Sequence, residues 1–196
     1  MTLRTRLVLV LAAAIAAIGI PALLYEMPTS DVHVSTTPPA VLDKMQVTEG
    51  TPAAPAVTFY DAEGKAMSLN DFRSKYVLVN LWATWCGPCI NELPSLVRLQ
   101  GELPQDQITV LPIDLERHEA QKVVEFLERT KIEGLPIYID RDFAAMRGFT
   151  ANELPLTILI DAEGREVARA AGEQKWDHAD SVAYLKAVSA RPAPGS

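Results

Sequence analysis

Soft ligands and thiols are scarce: the 196 residues contain two cysteines and three histidines. Two cysteines cannot build the disulfide framework of a small secreted scaffold. A structural zinc site needs four ligands, and here there is no second CxxC while His33, His118 and His178 are scattered. No metal and no cofactor is expected. Basic residues are also in deficit, 18 against 25 acidic for a net charge of −7, which removes the overall electrostatic footprint of a nucleic-acid binder. With 22% charged residues and a mean hydropathy of +0.08, the composition excludes a polytopic membrane protein and a disordered chain. The two cysteines, Cys86 and Cys89, lie three positions apart, so whatever they do is done together.

There is one long apolar run. Arg4 and Arg6 precede Leu7 to Leu24, 18 residues without a charge, the pattern of an export signal. As a helix it rises about 27 Å, near the roughly 30 Å of a bilayer core. No small-x-small site follows at Leu23-Leu24-Tyr25-Glu26, so residues 1–25 are expected to stay as an inner-membrane anchor; cleavage would instead release the protein to the periplasm. With the two arginines inside, the rest faces outward. That remainder holds 16 basic against 25 acidic residues, or −9. Residues 26–52 carry Pro28, Pro38, Pro39 and Pro52 and no sustained period, and read as a flexible linker. An ordered arm with a short helix near Val41–Met45 is the alternative.

Residues 53–190 alternate strand-like and helix-like segments, with a tail at 191–196. Val57 to Tyr60 and Lys65 to Leu69 form a hairpin around Asp61-Ala62-Glu63-Gly64. Tyr76 to Trp82 (YVLVNLW) is an apolar run of strand length, suited to a central strand covered on both faces. Helical spacing follows over Pro88 to Leu103, where Pro94 predicts a kink. Ile108 to Ile113 and Leu156 to Ile160 are further buried strands, with helices at Glu119–Thr130, near Asp142–Arg147 and at about Asp177–Ser189. A short strand is expected at Ile137–Ile139 and another at Glu166–Ala171. Asp-Ala-Glu-Gly recurs at 161; nothing else matches, which marks a reused hairpin turn rather than a duplication. The class is α/β with a central mixed sheet flanked by helices.

Trp85-Cys86-Gly87-Pro88-Cys89 sits between a buried strand and a helix. A structural bridge across so small a loop constrains the unfolded chain little, which favours a redox dithiol. The strand delivers Cys86 to a helix start, where unpaired N–H groups and the dipole stabilise a thiolate. Pro88 suits the first turn because its missing N–H had no partner there. Cys86 is then the exposed attacker and Cys89 the shielded resolving thiol.

The stretch VLVNLWATWCGPC, Val77 to Cys89, resembles the active-site strand and loop of the thioredoxin superfamily, above all the membrane-anchored TlpA-like proteins and their relatives ResA and the cytochrome c maturation thioredoxins. The resemblance covers about residues 50–190 and implies a thioredoxin-like fold with an N-terminal β-hairpin and a helical insertion. Where thioredoxins have an aspartate six residues before the first cysteine, this chain has Asn80; where TlpA and ResA relatives have a glutamate six residues after it, this chain has Glu92. Glu92 is thus expected beneath the dithiol, helping to deprotonate Cys89, against a plain solvated glutamate. The superfamily's cis-proline matches Pro155, with Pro136 a rival. Leu154, Trp85, Gly87 and Pro88 would line the substrate groove. Trp82 belongs to the core, and Trp176 and His178 pack or face solvent.

The resemblance implies a thiol:disulfide oxidoreductase that reduces specific protein disulfides outside the cytoplasm. Its expected partners are disulfide-bonded clients and a membrane electron donor that re-reduces the pair, with no nucleic acid. Likeness to TlpA implies copper-handling or cytochrome oxidase assembly clients, slightly favoured by Gly172 to Leu185 with Trp176; likeness to ResA implies apocytochrome c. A Cu(I) metallochaperone, a secretory oxidase and a peroxidase are the alternatives. The first lacks the CxxxC spacing and distal histidine of copper chaperones of this fold, and the last lacks the lone cysteine with nearby Thr and Arg.

Overall fold

The computed structural model describes residues 37–117 and 120–190. The expected anchor at 1–25, the first part of the linker and the 191–196 tail lie outside them. Eight strands form one sheet: β1 (Met45–Val47), β2 (Thr58–Asp61), β3 (Ala66–Ser68), β4 (Tyr76–Trp82), β5 (Ile108–Asp114), β6 (Tyr138–Ile139), β7 (Leu156–Ile160) and β8 (Glu166–Ala171). Their order across the sheet is β1-β8-β7-β4-β5-β6-β2-β3. Helices α1 (Gly87–Glu102), α2 (Ala120–Thr130), α3 (Ala144–Gly148) and α4 (Ala179–Ser189) complete the α/β domain. Two single 3-10 turns, Ala40–Leu42 and Leu69–Phe72, precede β1 and β4.

Every side chain of β4 is buried, because the strand is central and its two faces feed two hydrophobic clusters. Leu78 and Trp82 join the cluster with α1, α2 and α4, and Val77, Val79 and Leu81 the one with β2 and α3. β4 runs parallel to β5 and antiparallel to β7, which makes the sheet mixed. Parallel pairing requires a crossover, and α1 supplies it, so the polypeptide leaves the end of β4 at Trp82 and turns directly into the cysteine loop. α1 runs unbroken through Pro94.

The two Asp-Ala-Glu-Gly segments fold alike. In each, the aspartate Oδ1 accepts the amides two and four residues on, Glu63 and Lys65 in one, Glu163 and Arg165 in the other. Gly64 at φ 80° and Gly164 at φ 77° occupy the left-handed position, where a Cβ is strained. This is a turn reused on local grounds.

The linker expectation needs correction at its end. Met45–Val47 pairs antiparallel with Ala168–Ala170 as an edge strand, while Leu42 and Met45 are buried in the larger cluster. Burial of those two apolar side chains and the ladder pairing of β1 both favour an ordered arm. The ordered chain therefore starts before residue 53, and the short turn at Ala40–Leu42 corresponds to the alternative of a packed arm.

Candidate functional site

α1 opens on Cys86 as its N-cap, with Pro88 in the first turn. The Cys86 sulfur accepts the Cys89 amide at 3.3 Å, and the two cysteines form a disulfide with Cα atoms 5.2 Å apart. Cys89 is fully buried and Cys86 retains 6% of its surface. The expectation of an exposed Cys86 is thereby corrected: the turn tucks it against the core, and access is through a groove it lines.

That groove has a volume of about 1100 Å³. Trp85, Gly87, Pro88 and Leu154, all expected from the sequence, line it, and Trp85 is 69% exposed. The Leu154–Pro155 peptide bond is cis; Pro155 itself lies just outside the lining, at the start of β7. The far wall was not foreseen. It comes from the loop after β5 and from the segment around α3, chiefly Arg117, Phe143, Met146 and Arg147. Asp140 builds that wall: fully buried, its two carboxylate oxygens accept the Ala144 amide at 2.7 Å and the Met146 amide at 2.9 Å. Arg117 stacks its guanidinium 4.7 Å from the centre of the Phe143 ring, a favourable cation–π placement.

Glu92, one turn along α1 from Cys89, is 1% exposed, so it is not a solvated surface glutamate. Its Oε1 accepts from Asn80 Nδ2 at 2.7 Å. Its Oε2 accepts from the Gln174 amide and from Trp176 Nε1, both at 3.0 Å. Three donors would lower the carboxyl pKa, yet desolvation by burial wins and raises it from 4.5 to about 7, aided by the charge of Glu173. A carboxyl poised there exchanges protons readily at neutral pH.

Trp176 packs, as expected, but as the donor to Glu92 rather than as inert filling. Asn80, which cannot take a proton itself, holds the group that can, and its amide nitrogen also donates to Thr157 at 2.9 Å. Gln174 was missed altogether because a backbone amide leaves no mark in a sequence. His178 caps α4, its Nδ1 accepting the Asp180 amide at 3.2 Å; His33 and His118 lie outside the described residues. Among the described residues no group of three or more His, Cys, Asp or Glu could hold a metal ion.

Comparison with known proteins agrees with this geometry. The AhpC/TSA family matches residues 51–169. The thiol-disulfide oxidoreductase ResA of Bacillus cereus is 29% identical over 147 residues, 75% of this chain and 81% of that protein. The ResA of Geobacillus thermodenitrificans is 32% identical over 123 residues, covering 63% and 69% respectively. Among solved structures, the thioredoxin domain of a thiol-disulfide oxidoreductase from Bacteroides vulgatus superposes with a TM-score of 0.59 at 27% identity, spanning 71% of this chain and 96% of that one.

Proposed function

From the premise that the chain belongs to the AhpC/TSA family, as a thioredoxin-like thiol-disulfide oxidoreductase of the ResA type, we propose that it reduces disulfides of specific client proteins outside the cytoplasm. One observation carries this reading: of two linked sulfurs at a helix N-terminus, only that of Cys86 borders an open groove, while Cys89 is sealed behind it.

The reduced dithiol begins the cycle. The Cys86 thiolate attacks one client sulfur; the client S–S bond breaks, a mixed disulfide forms and the other client sulfur leaves as a thiol after taking a proton. Cys89 then gives its proton toward Glu92, and its thiolate attacks the Cys86 sulfur. The mixed disulfide breaks, the second client thiol departs and the Cys86–Cys89 bond forms. Two electrons have passed to the client, and a membrane partner returns two electrons and two protons. Trp85, Gly87, Pro88 and Leu154 shape the client's seat, with Pro155 fixing the edge of β7 beside it.

Residues 1–25 serve as the tether to the inner membrane, with the domain in the periplasm. Among the described residues no helix is long and apolar enough to cross a membrane, so the tether rests on the sequence pattern alone. As clients we place cytochrome assembly proteins first, with apocytochrome c ahead of copper-handling factors. Trp176, the residue that favoured copper clients, is fully buried against Glu92 and does not reach the groove, whereas the similarity to ResA proteins supports the other class.

Trapping tests the reading. Cys89→Ser should accumulate a mixed disulfide with a disulfide-bonded client peptide, and Cys86→Ser should not. A trap on Cys89 instead, or a reduction potential near about −120 mV rather than toward about −270 mV, would overturn it. Stoichiometric copper held by both sulfurs would turn the assignment to a metallochaperone.

A further inference from the structure

Phe143 lines the groove with Cys86 from a backbone position that a bulky side chain rarely takes, φ 55° and ψ 28°. Left-handed strain of this kind persists only where the surroundings over-determine it, and it clusters at active sites and ligand contacts. Here the surroundings do so. The Phe143 amide donates to the Asp140 carbonyl at 3.2 Å, the Phe143 carbonyl accepts the Arg147 amide at 3.1 Å, and the Asp140 amide donates to the Asp114 carbonyl at 2.8 Å, fastening the segment to the end of β5. The Asp140 carboxylate holds the following turn through the Ala144 and Met146 amides, and the Arg117 guanidinium lies 4.7 Å from the ring centre. Core packing does not account for the conformation: among the described residues, half-buried Phe143 packs with neither hydrophobic cluster.

Its neighbours on the groove are largely apolar. Trp85, Leu115, Met146, Ala151 and Leu154 line it with Phe143. With Val47, Trp85 and Met146 make up the large apolar side chains exposed among the described residues, at 69% and 41% for the two on the groove. Exposed apolar surface gathered beside a reactive sulfur marks a contact surface, and aromatic and methionine side chains are enriched where partners are anchored. Charge does not choose the partner. Arg117 and Arg147 share the lining with Glu116 and Glu153, so the groove presents both signs.

We propose that Phe143 is a specificity-determining residue which, together with Met146, takes one bulky apolar side chain flanking the client cysteine that Cys86 attacks. The inference rests on Cys86 being the attacking thiol in this groove. A client cysteine flanked by Leu, Ile, Phe or Met removes that side chain from water against the Phe143 ring and the Met146 thioether. A polar side chain in the same place loses water and gains no hydrogen bond from either. In a groove that stays open to solvent, the preference sits at the low end of what one apolar contact supplies, about tenfold.

The test uses disulfide-linked dimers of the peptide Gly-Ser-X-Cys-X-Ser-Gly, with X as Leu, Asn, Lys or Glu, so that attack on either sulfur yields the same adduct. Each is mixed with reduced full-length Cys89→Ser protein, and mixed-disulfide formation is followed by intact mass. Every rate is divided by that of the same peptide with dithiothreitol, which corrects for the reactivity of the peptide disulfide itself. The Leu peptide should react about tenfold faster than the Asn peptide. Adding Phe143→Gly, which suits the left-handed backbone, or Met146→Gln, which keeps length and helix propensity, should bring that ratio below about threefold. Because the ratio is taken within one protein, a partial loss of fold or of thiol reactivity lowers both rates and leaves it in place. A ratio near one before the groove is altered, a ratio that survives both substitutions, or a Lys or Glu peptide that outruns the Leu peptide would overturn the inference. An absence of adduct with every peptide would instead overturn Cys86 as the attacker, and this inference with it.

Discussion

Three donors converge on one buried carboxyl, and at the scale of single residues this is where chemistry and stability meet. Trp176→Phe keeps the aromatic bulk but removes the indole N–H from Glu92, leaving a buried carboxylate short of one partner. We expect a stability loss of about 1–3 kcal/mol at pH 8, seen as a shift in urea midpoint, and a further rise in the Glu92 pKa. The loss should shrink at pH 5, where Glu92 is protonated in both proteins. Glu92→Gln preserves the shape and removes the proton acceptor. Resolution of a trapped mixed disulfide by Cys89 should slow about 10²–10⁴-fold near pH 7, the usual contribution of a positioned base, while alkylation of Cys86 stays unchanged. An undiminished resolution rate would remove Glu92 from the cycle.

α3 is only five residues long, Ala144–Gly148, too short to persist without outside help, and it carries Met146 and Arg147 into the groove. Its help is the Asp140 carboxylate, which takes the Ala144 and Met146 amides. Asp140→Ala should therefore cost about 2 kcal/mol of stability, in the range of a lost cap, and raise KM for a peptide client more than it lowers kcat. Equal effects on both constants would mean that this wall does not seat the client. At the other edge of the sheet, β1 is three residues with only Met45 buried. The periodic strands β4, β5 and β7 were visible in the sequence because each is an apolar run covered on both faces. β1 was not, since three residues are too few for a period to register and neighbouring prolines suggested a tether.

For the whole molecule, the buried acids set the response to pH. Glu92 and Asp114 have folded-state pKa values of about 7 and about 8, against ordinary values of 4.5 and 3.8. An acid whose pKa is raised by folding binds its proton more tightly in the native state, so stability is greatest below its unfolded value and declines as pH rises through the window to the folded one. The oxidised protein should accordingly lose several kcal/mol between about pH 4 and pH 8, on the scale of 1.36 kcal/mol per pKa unit for each group. Guanidinium unfolding at a series of pH values checks this, and Glu92→Gln should flatten the part of the slope between about pH 4.5 and pH 7. A wild-type profile that rises over that range would contradict the burial of these groups in neutral form.

Local patterns of period and spacing in the sequence carried the α/β class and the CxxC at the junction of strand and helix, while the thioredoxin-like fold, Glu92 on the helix after it and Pro155 ahead of β7 came from the resemblance of Val77–Cys89 to the thioredoxin superfamily. Which groups surround Glu92 and face the cysteines across the groove was decided only by tertiary structure. Gln174 and Trp176 reach Glu92 from 82 and 84 residues away, and Phe143 and Met146 share the groove with Trp85 because the sheet order sets the segment after β6 beside the cysteine turn. A carboxyl's ionisation is settled by the water it has lost and the donors that replace it. Both depend on which distant segments the fold brings together, and no short-range pattern records that.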